Sequence, residues 1–80
     1  MCLLDRVAER AGFDLLSDMR FAGPEGRARI AAALREVPAE AAALAEWNDA
    51  LEYLVGGRPR RAAEDARAAL LRSLEEEGRR

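Results

Sequence analysis

Three groups of residues in this sequence are of types that could do chemistry, and the first is a run of arginines. Arg58, Arg60 and Arg61 lie within four residues of one another at the expected start of a helix. Cations at a helix N-terminus oppose the helix dipole, so the electrostatics of the helix alone do not favour arginines at this position. Guanidinium forks and free helix N–H groups can together bind an anion. The sequence therefore predicts an anion site at these three arginines, with surface ion pairs to the carboxylates four residues further on as the alternative.

The second group is a set of carboxylates beside aromatic residues. Glu46, Asp49 and Glu52 recur every three residues and so share one face of a helix. Bundles that hold a metal on such a face combine glutamates with Glu-x-x-His motifs, and this sequence contains no histidine. We therefore expect a solvated acidic face, with neither a metal nor a cofactor. Tyr53 lies about 140° from the centre of the neighbouring apolar stripe, so it either packs beneath another helix or stands exposed as an interface anchor.

The remaining reactive side chains do not form a catalytic constellation. Ser17 and Ser73 have no histidine to activate them, and Cys2 has no base near it in the sequence. The glycines match neither the Walker pattern nor the dinucleotide-binding pattern. We expect that the chain is not an enzyme.

The elements that must position these groups are helices. Glycine and proline divide the chain into segments, within which apolar residues recur at helical spacing. No segment shows the alternation that is typical of a strand. The sequence predicts an all-α fold, a compact bundle of four to five short helices in a single domain, 1–80. The expected helices span approximately residues 3–11, 15–20, 25–37, 39–55 and 60–77.

Two of these helix starts depend on single residues. Asp14 is placed to cap the second helix, whose Leu15, Leu16 and Met19 we expect to face inward. Pro38 is expected to end the third helix and to begin the fourth, because proline suits a first helical turn and disrupts a helix interior.

The third group is the segment of residues 7–13, Val-Ala-Glu-Arg-Ala-Gly-Phe. It resembles the opening of a helix-turn-helix of the lac-repressor type, in which a small residue such as Ala8 lets two helices cross and Gly12 makes the turn. The resemblance implies a second helix that reads DNA. The sequence departs from the pattern at Asp18, where an aliphatic residue is expected, and Asp14 and Asp18 would point carboxylates at phosphates.

The net charge and the cysteine content limit the classes of binding partner and the cellular compartment that we expect. The net charge is −2, so no overall positive field attracts nucleic acid or an anionic membrane. The lone Cys2 cannot form a disulfide within the chain, and no apolar run approaches the length of a membrane span. We expect a cytoplasmic protein without nucleic-acid or membrane partners.

The longest apolar stripes lie on the last two predicted helices. A chain of this size buries only about 60% of the surface that its unfolded form exposes, so we expect part of these stripes to serve a partner. The predicted interface consists of Trp47, Leu51, Tyr53, Leu54, Ala66 and Leu70. The sequence thus favours a protein–protein interaction or regulatory module that self-associates, as a homodimer, through an apolar helix face. The alternative is a helix-turn-helix-like DNA-binding protein that uses residues 7–20.

Overall fold

The computed structural model describes residues 2–78, which form helices joined by short connections. The helices are α1 (Leu3–Ala11), α2 (Leu16–Arg20), α3 (Pro24–Arg35), α4 (Leu44–Val55) and α5 (Ala63–Gly78), with a 3-10 turn at Ala39–Ala41 between α3 and α4. No strand occurs within the described residues. The predicted all-α bundle of short helices is confirmed.

The bundle is built around α5, which packs against both α3 and α4. α1 lies across α3 and α4, and the short α2 contacts α1, α3 and α4. The core consists of the apolar faces of these helices and is centred on the largest fully buried side chains: Trp47, Leu3, Met19, Ile30, Leu34, Leu51, Leu70, Leu74 and Val7. Burying one such apolar side chain contributes about 1.5–3 kcal/mol, and together these contributions supply the main driving force for folding.

The predicted helix 39–55 is interrupted, and two hydrogen bonds explain where. The indole Nε1–H of Trp47 donates to the carbonyl of Ala39 over 2.8 Å. The N–H of Ala43, which would bond to that carbonyl in a continuous helix, donates instead to the carboxylate of Glu46 over 3.3 Å. Since both groups have other partners, the chain passes through an extended Ala42 (φ −142°) and α4 begins at Leu44.

The last helix begins at Ala63, three residues later than predicted, because Asn48 bonds to the backbone of the preceding segment and keeps it out of the helix. The N–H of Arg60 donates to the side-chain oxygen of Asn48 over 2.8 Å, and the Asn48 amide donates to the Arg60 carbonyl over 3.0 Å. A carbonyl in a first helical turn would accept from the N–H four residues later. Here the side chain of Asn48 takes that place, so the expectation that Arg60 and Arg61 begin the helix is wrong.

The second helix also starts later than predicted, and one of its side chains faces outward. Leu15 adopts an extended cap conformation (φ −124°, ψ 145°), and no side chain caps the helix. Asp14 therefore does not cap it, and Leu15 is 61% exposed instead of facing inward. Met19 is fully buried, as its spacing predicted. Leu16 is half-buried and packs against the core, so Leu15 is the one of the three that departs from the prediction.

Two arginines donate hydrogen bonds to backbone carbonyls at or near the C-termini of other helices. Arg67 of α5 donates from Nε to the carbonyl of Val37 over 2.9 Å and from Nη2 to the carbonyl of Arg35 over 3.1 Å. These bonds help to end α3 at Arg35, although the spacing predicted a helix to residue 37. Arg27 of α3 reaches the carbonyl of Leu54, near the end of α4, over 3.4 Å. Cations at helix C-termini also complement the helix dipole.

Gly26 is placed in α3 where a larger residue does not fit, so we expect Gly26→Ala to destabilise the fold. A Cβ atom there would lie 2.7 Å from the Cβ of Ala22 and 3.3 Å from the ring of Phe13. We expect a loss of about 1–3 kcal/mol in the free energy of unfolding from overpacking, measured by urea unfolding. The control is Gly23→Ala, where nothing lies within 4 Å, and which should change stability by at most about 1 kcal/mol. Stabilisation by Gly26→Ala would contradict the close packing of α3 against Ala22 and Phe13.

Candidate functional site

The apolar part of the predicted interface lies inside the fold. Trp47, Leu51, Leu54, Ala66 and Leu70 are between 0% and 3% exposed. These residues belong to α4 and α5 and form the part of the core where the two helices pack together. They therefore offer no surface to a partner. The physical reason is size: a chain of 80 residues needs nearly all of its large apolar side chains to enclose one core.

Tyr53 alone of the predicted set reaches the surface, and it does so beside a second aromatic residue. It is half-buried on α4. The guanidinium of Arg20, at the end of α2, lies 5.5 Å from the centre of the Tyr53 ring and 5.6 Å from the centre of the Phe21 ring. Phe21 is 79% exposed. Arg20 thus joins the two aromatic side chains through cation–π contacts, each worth about 0.5–1 kcal/mol at an exposed site.

An open cleft of about 630 Å³ adjoins these rings. It is lined by Leu4, Arg20, Asp49, Glu52, Tyr53 and Gly56. We call this cleft, together with Phe21, the Phe21 surface. Asp49 and Glu52 are exposed and form no ion pair with any other described residue. The surface therefore combines apolar rings, one bound guanidinium and two uncompensated carboxylates.

The short helix α2 positions this surface. Met19 is buried and anchors α2 to the core. The helix then ends within one residue, and the N–H of Phe21 donates to the carbonyl of Ser17 over 3.2 Å. This bond holds Phe21 one turn beyond Ser17 while its side chain stays in solvent. The sequence analysis did not identify Phe21 as a site residue. The sequence feature that could have indicated it is an aromatic residue directly after Arg20 and two residues before Gly23–Pro24, which separates two predicted helices.

The third carboxylate of the predicted acidic face has a structural role. Glu46 accepts a hydrogen bond from the N–H of Leu3 over 2.9 Å and one from the N–H of Ala43 over 3.3 Å. These N–H groups lie at the starts of α1 and α4, where a negative charge complements both helix dipoles. Glu46 therefore joins two helix N-termini and is not part of a purely solvated face.

The predicted anion site is only partly assembled. Arg58, Arg60 and Arg61 are all exposed in the connection between α4 and α5. The N–H of Arg60 is occupied by Asn48, and α5 begins only at Ala63, so the expected combination of guanidinium groups with free helix N–H groups does not form at Arg60. The alternative ion pairs with Glu64 and Asp65 are not formed either among the described residues.

The helix-turn-helix segment has the predicted turn without a DNA-reading face. Ala8 is buried against its neighbours and Gly12 adopts a left-handed conformation (φ 82°). The second helix, α2, is only five residues long. Asp14 and Asp18 are exposed on this segment, while the guanidinium of Arg20 contacts two aromatic rings. This arrangement presents carboxylates where a DNA reader presents cations.

Comparisons of the chain with protein-family models, with curated proteins and with solved structures find no match. Within the described part of the chain, no group of three or more His, Cys, Asp or Glu side chains is arranged to hold a metal ion. None of the described helices has both the length and the apolar character that crossing a membrane requires.

Proposed function

We propose that the chain is a small protein–protein interaction module, accessory or regulatory in role, which binds through the Phe21 surface. The observation that carries the proposal is the exposure of Phe21, at 79%, in a chain that buries Trp47 completely. Aromatic residues and arginine are enriched among the residues that dominate binding energy at interfaces. Leu15, the other large apolar side chain that is exposed among the described residues, lies at the opposite end of α2.

The cation–π contacts of Arg20 support the same proposal. Arg20 lies between the rings of Phe21 and Tyr53, and Tyr53 belongs to a helix packed into the core. Binding orders side chains at a cost of about 0.5–1.5 kcal/mol for each flexible one. Rings already held by a guanidinium lose less freedom on binding, so the Phe21 surface is suited to contact a partner.

The proposal assigns the chain no catalytic activity and places it in the cytoplasm. The support is the absence of histidine and the single, exposed Cys2, which has no second cysteine for an intrachain disulfide. DNA binding through residues 7–20 has less support, because α2 is only five residues long and both Asp14, which precedes it, and Asp18 are exposed.

Site-specific photocrosslinking tests the proposal. We expect a photoreactive phenylalanine analogue at position 21, in the cells that express the chain naturally, to form a covalent adduct of discrete mass on irradiation. The analogue replaces a ring of similar shape that is already in solvent, so the fold should be unaffected.

The matched control places the same analogue at position 28, an exposed alanine on α3 that lies outside the Phe21 surface. We expect no discrete adduct there. Equal adducts at both positions, or none at position 21, would show that the Phe21 surface is not a binding surface.

A further inference from the structure

Two carboxylates, Asp49 and Glu52, form the acidic half of the Phe21 surface. Asp49 and Glu52 lie three residues apart on α4 and so share one face, next to the half-buried ring of Tyr53. Neither carboxylate forms an ion pair with a described residue. Arg20, the one cation among the described residues that line the cleft, contacts two rings instead. A partner that fits here supplies positive charge.

The chain itself carries a basic segment, Arg58, Arg60 and Arg61. Arg58, Arg60 and Arg61 are exposed, and none of them forms an ion pair with a described residue. Asn48 holds the backbone of this segment in place through both hydrogen-bonding groups of Arg60. The three arginines are therefore presented on a connection that Asn48 fixes at Arg60, and not on a helix.

The acidic half and the basic segment are neighbours on one side of the molecule. Gly56 lines the cleft and precedes Arg58 by two residues. Asn48, which binds the backbone of Arg60, directly precedes Asp49 on α4. A surface with an acidic half beside a basic half is complementary to itself, as a two-fold symmetric interface requires.

We propose that the occupant of the Phe21 surface is a second copy of the chain. In this dimer the basic segment of each copy binds the acidic half of the other, with guanidinium groups paired to Asp49 and Glu52 and packed beside Tyr53. Arginine is the cation suited to both contacts, since its planar fork pairs with carboxylates and stacks on aromatic rings. This inference rests on the proposed function and names its partner.

Charge reversal with mixing tests the dimer, with the solution mass measured by sedimentation equilibrium over a concentration series in low salt. One variant carries Arg60→Glu and Arg61→Glu, and the other carries Asp49→Arg and Glu52→Arg. We expect the wild-type chain to reach twice its 8.8 kDa mass. Each variant alone should dimerise at least about tenfold more weakly, because like charges then face each other.

The equimolar mixture of the two variants should regain the dimer, because each variant then meets opposite charges on both sides of the two-fold axis. Circular dichroism of each variant confirms its helix content first. The control for net charge carries Arg6→Glu and Arg72→Glu, which are exposed and outside the Phe21 surface; it should dimerise like the wild type. Raising the salt from about 0.1 M to about 1 M, where the Debye length falls from about 10 Å to about 3 Å, should weaken the wild-type dimer.

A wild-type chain that stays monomeric throughout the series would overturn the inference. Association that both charge-reversed variants retain, or a mixture that fails to recover it, would overturn it as well. The adduct at position 21 separates this failure from failure of the proposed function. An adduct of twice the chain mass supports both, whereas an adduct of another mass leaves the interaction module standing without the homodimer.

Discussion

Replacing Trp47 with alanine should lower the free energy of unfolding by about 3–5 kcal/mol. Trp47 is fully buried, and its indole donates to the Ala39 carbonyl over 2.8 Å. The substitution therefore removes the largest core side chain and leaves that carbonyl without its partner. A chain of this size has a total stability of about 4–12 kcal/mol at 0.05–0.15 kcal/mol per residue, so the variant should be extensively unfolded by moderate heating. Thermal and urea unfolding followed by circular dichroism measure the loss.

Trp47→Phe separates packing from the hydrogen bond. It keeps an aromatic ring in the core and removes the indole donor, so we expect a smaller loss than for alanine, with about 1–3 kcal/mol attributable to the unpaired carbonyl of Ala39. If the phenylalanine variant proved as stable as the wild type, the hydrogen bond from the indole to the Ala39 carbonyl would not contribute to the stability of the fold.

Replacing Arg67 with methionine should lower the free energy of unfolding by about 2–4 kcal/mol. The guanidinium of Arg67 binds two carbonyls, those of Val37 and Arg35, and a hydrogen bond to a charged group contributes about 1.5–3 kcal/mol. Methionine retains much of the apolar stem but no donor. Urea unfolding measures the loss.

The matched control for Arg67 is Arg72→Met, on the same helix and exposed, which should change stability by no more than about 0.5 kcal/mol. Arg67→Lys should fall between the wild type and methionine, because a single ammonium does not reproduce the two-pronged geometry. Equal losses for Arg67→Met and Arg72→Met would contradict the capping of α3 by α5.

The helical spacing of apolar residues predicted most of the core. For example, the spacing of Ile30, Ala33, Leu34 and Val37 places all four on one helix face, and all four are buried. Helical periodicity is a property of neighbours along the chain, so sequence alone can show it. The helix starts depend instead on hydrogen bonds that individual side chains make to the backbone, and apolar spacing does not show these. Where α4 begins depends on bonds made by Trp47 and Glu46, and where α5 begins depends on Asn48, which lies twelve residues from Arg60.

The site was predicted poorly because a sequence does not show which apolar face another helix covers. Trp47 and Tyr53 lie on the same helix, and the packing of the bundle buries the first completely and the second only partly. Phe21 follows a helix with a single fully buried residue, Met19, so its exposure depends on where α2 ends. The sequence left two alternatives for Tyr53, packed beneath another helix or exposed; its ring is half-buried and lies beside Arg20 and the cleft.

Hydroxyl-radical footprinting tests the central claim most directly, which is that Phe21 is exposed in the isolated chain and covered by a protein in its natural setting. The measurement compares the oxidation of Phe21 and of Trp47 in the dilute purified chain with their oxidation in cells that express it. We predict that Phe21 is readily oxidised in the purified chain and several-fold less in cells, while Trp47 is protected in both. Equal oxidation of Phe21 in the two settings would contradict the claim, and oxidation of Trp47 above that of Phe21 would contradict the fold on which it rests.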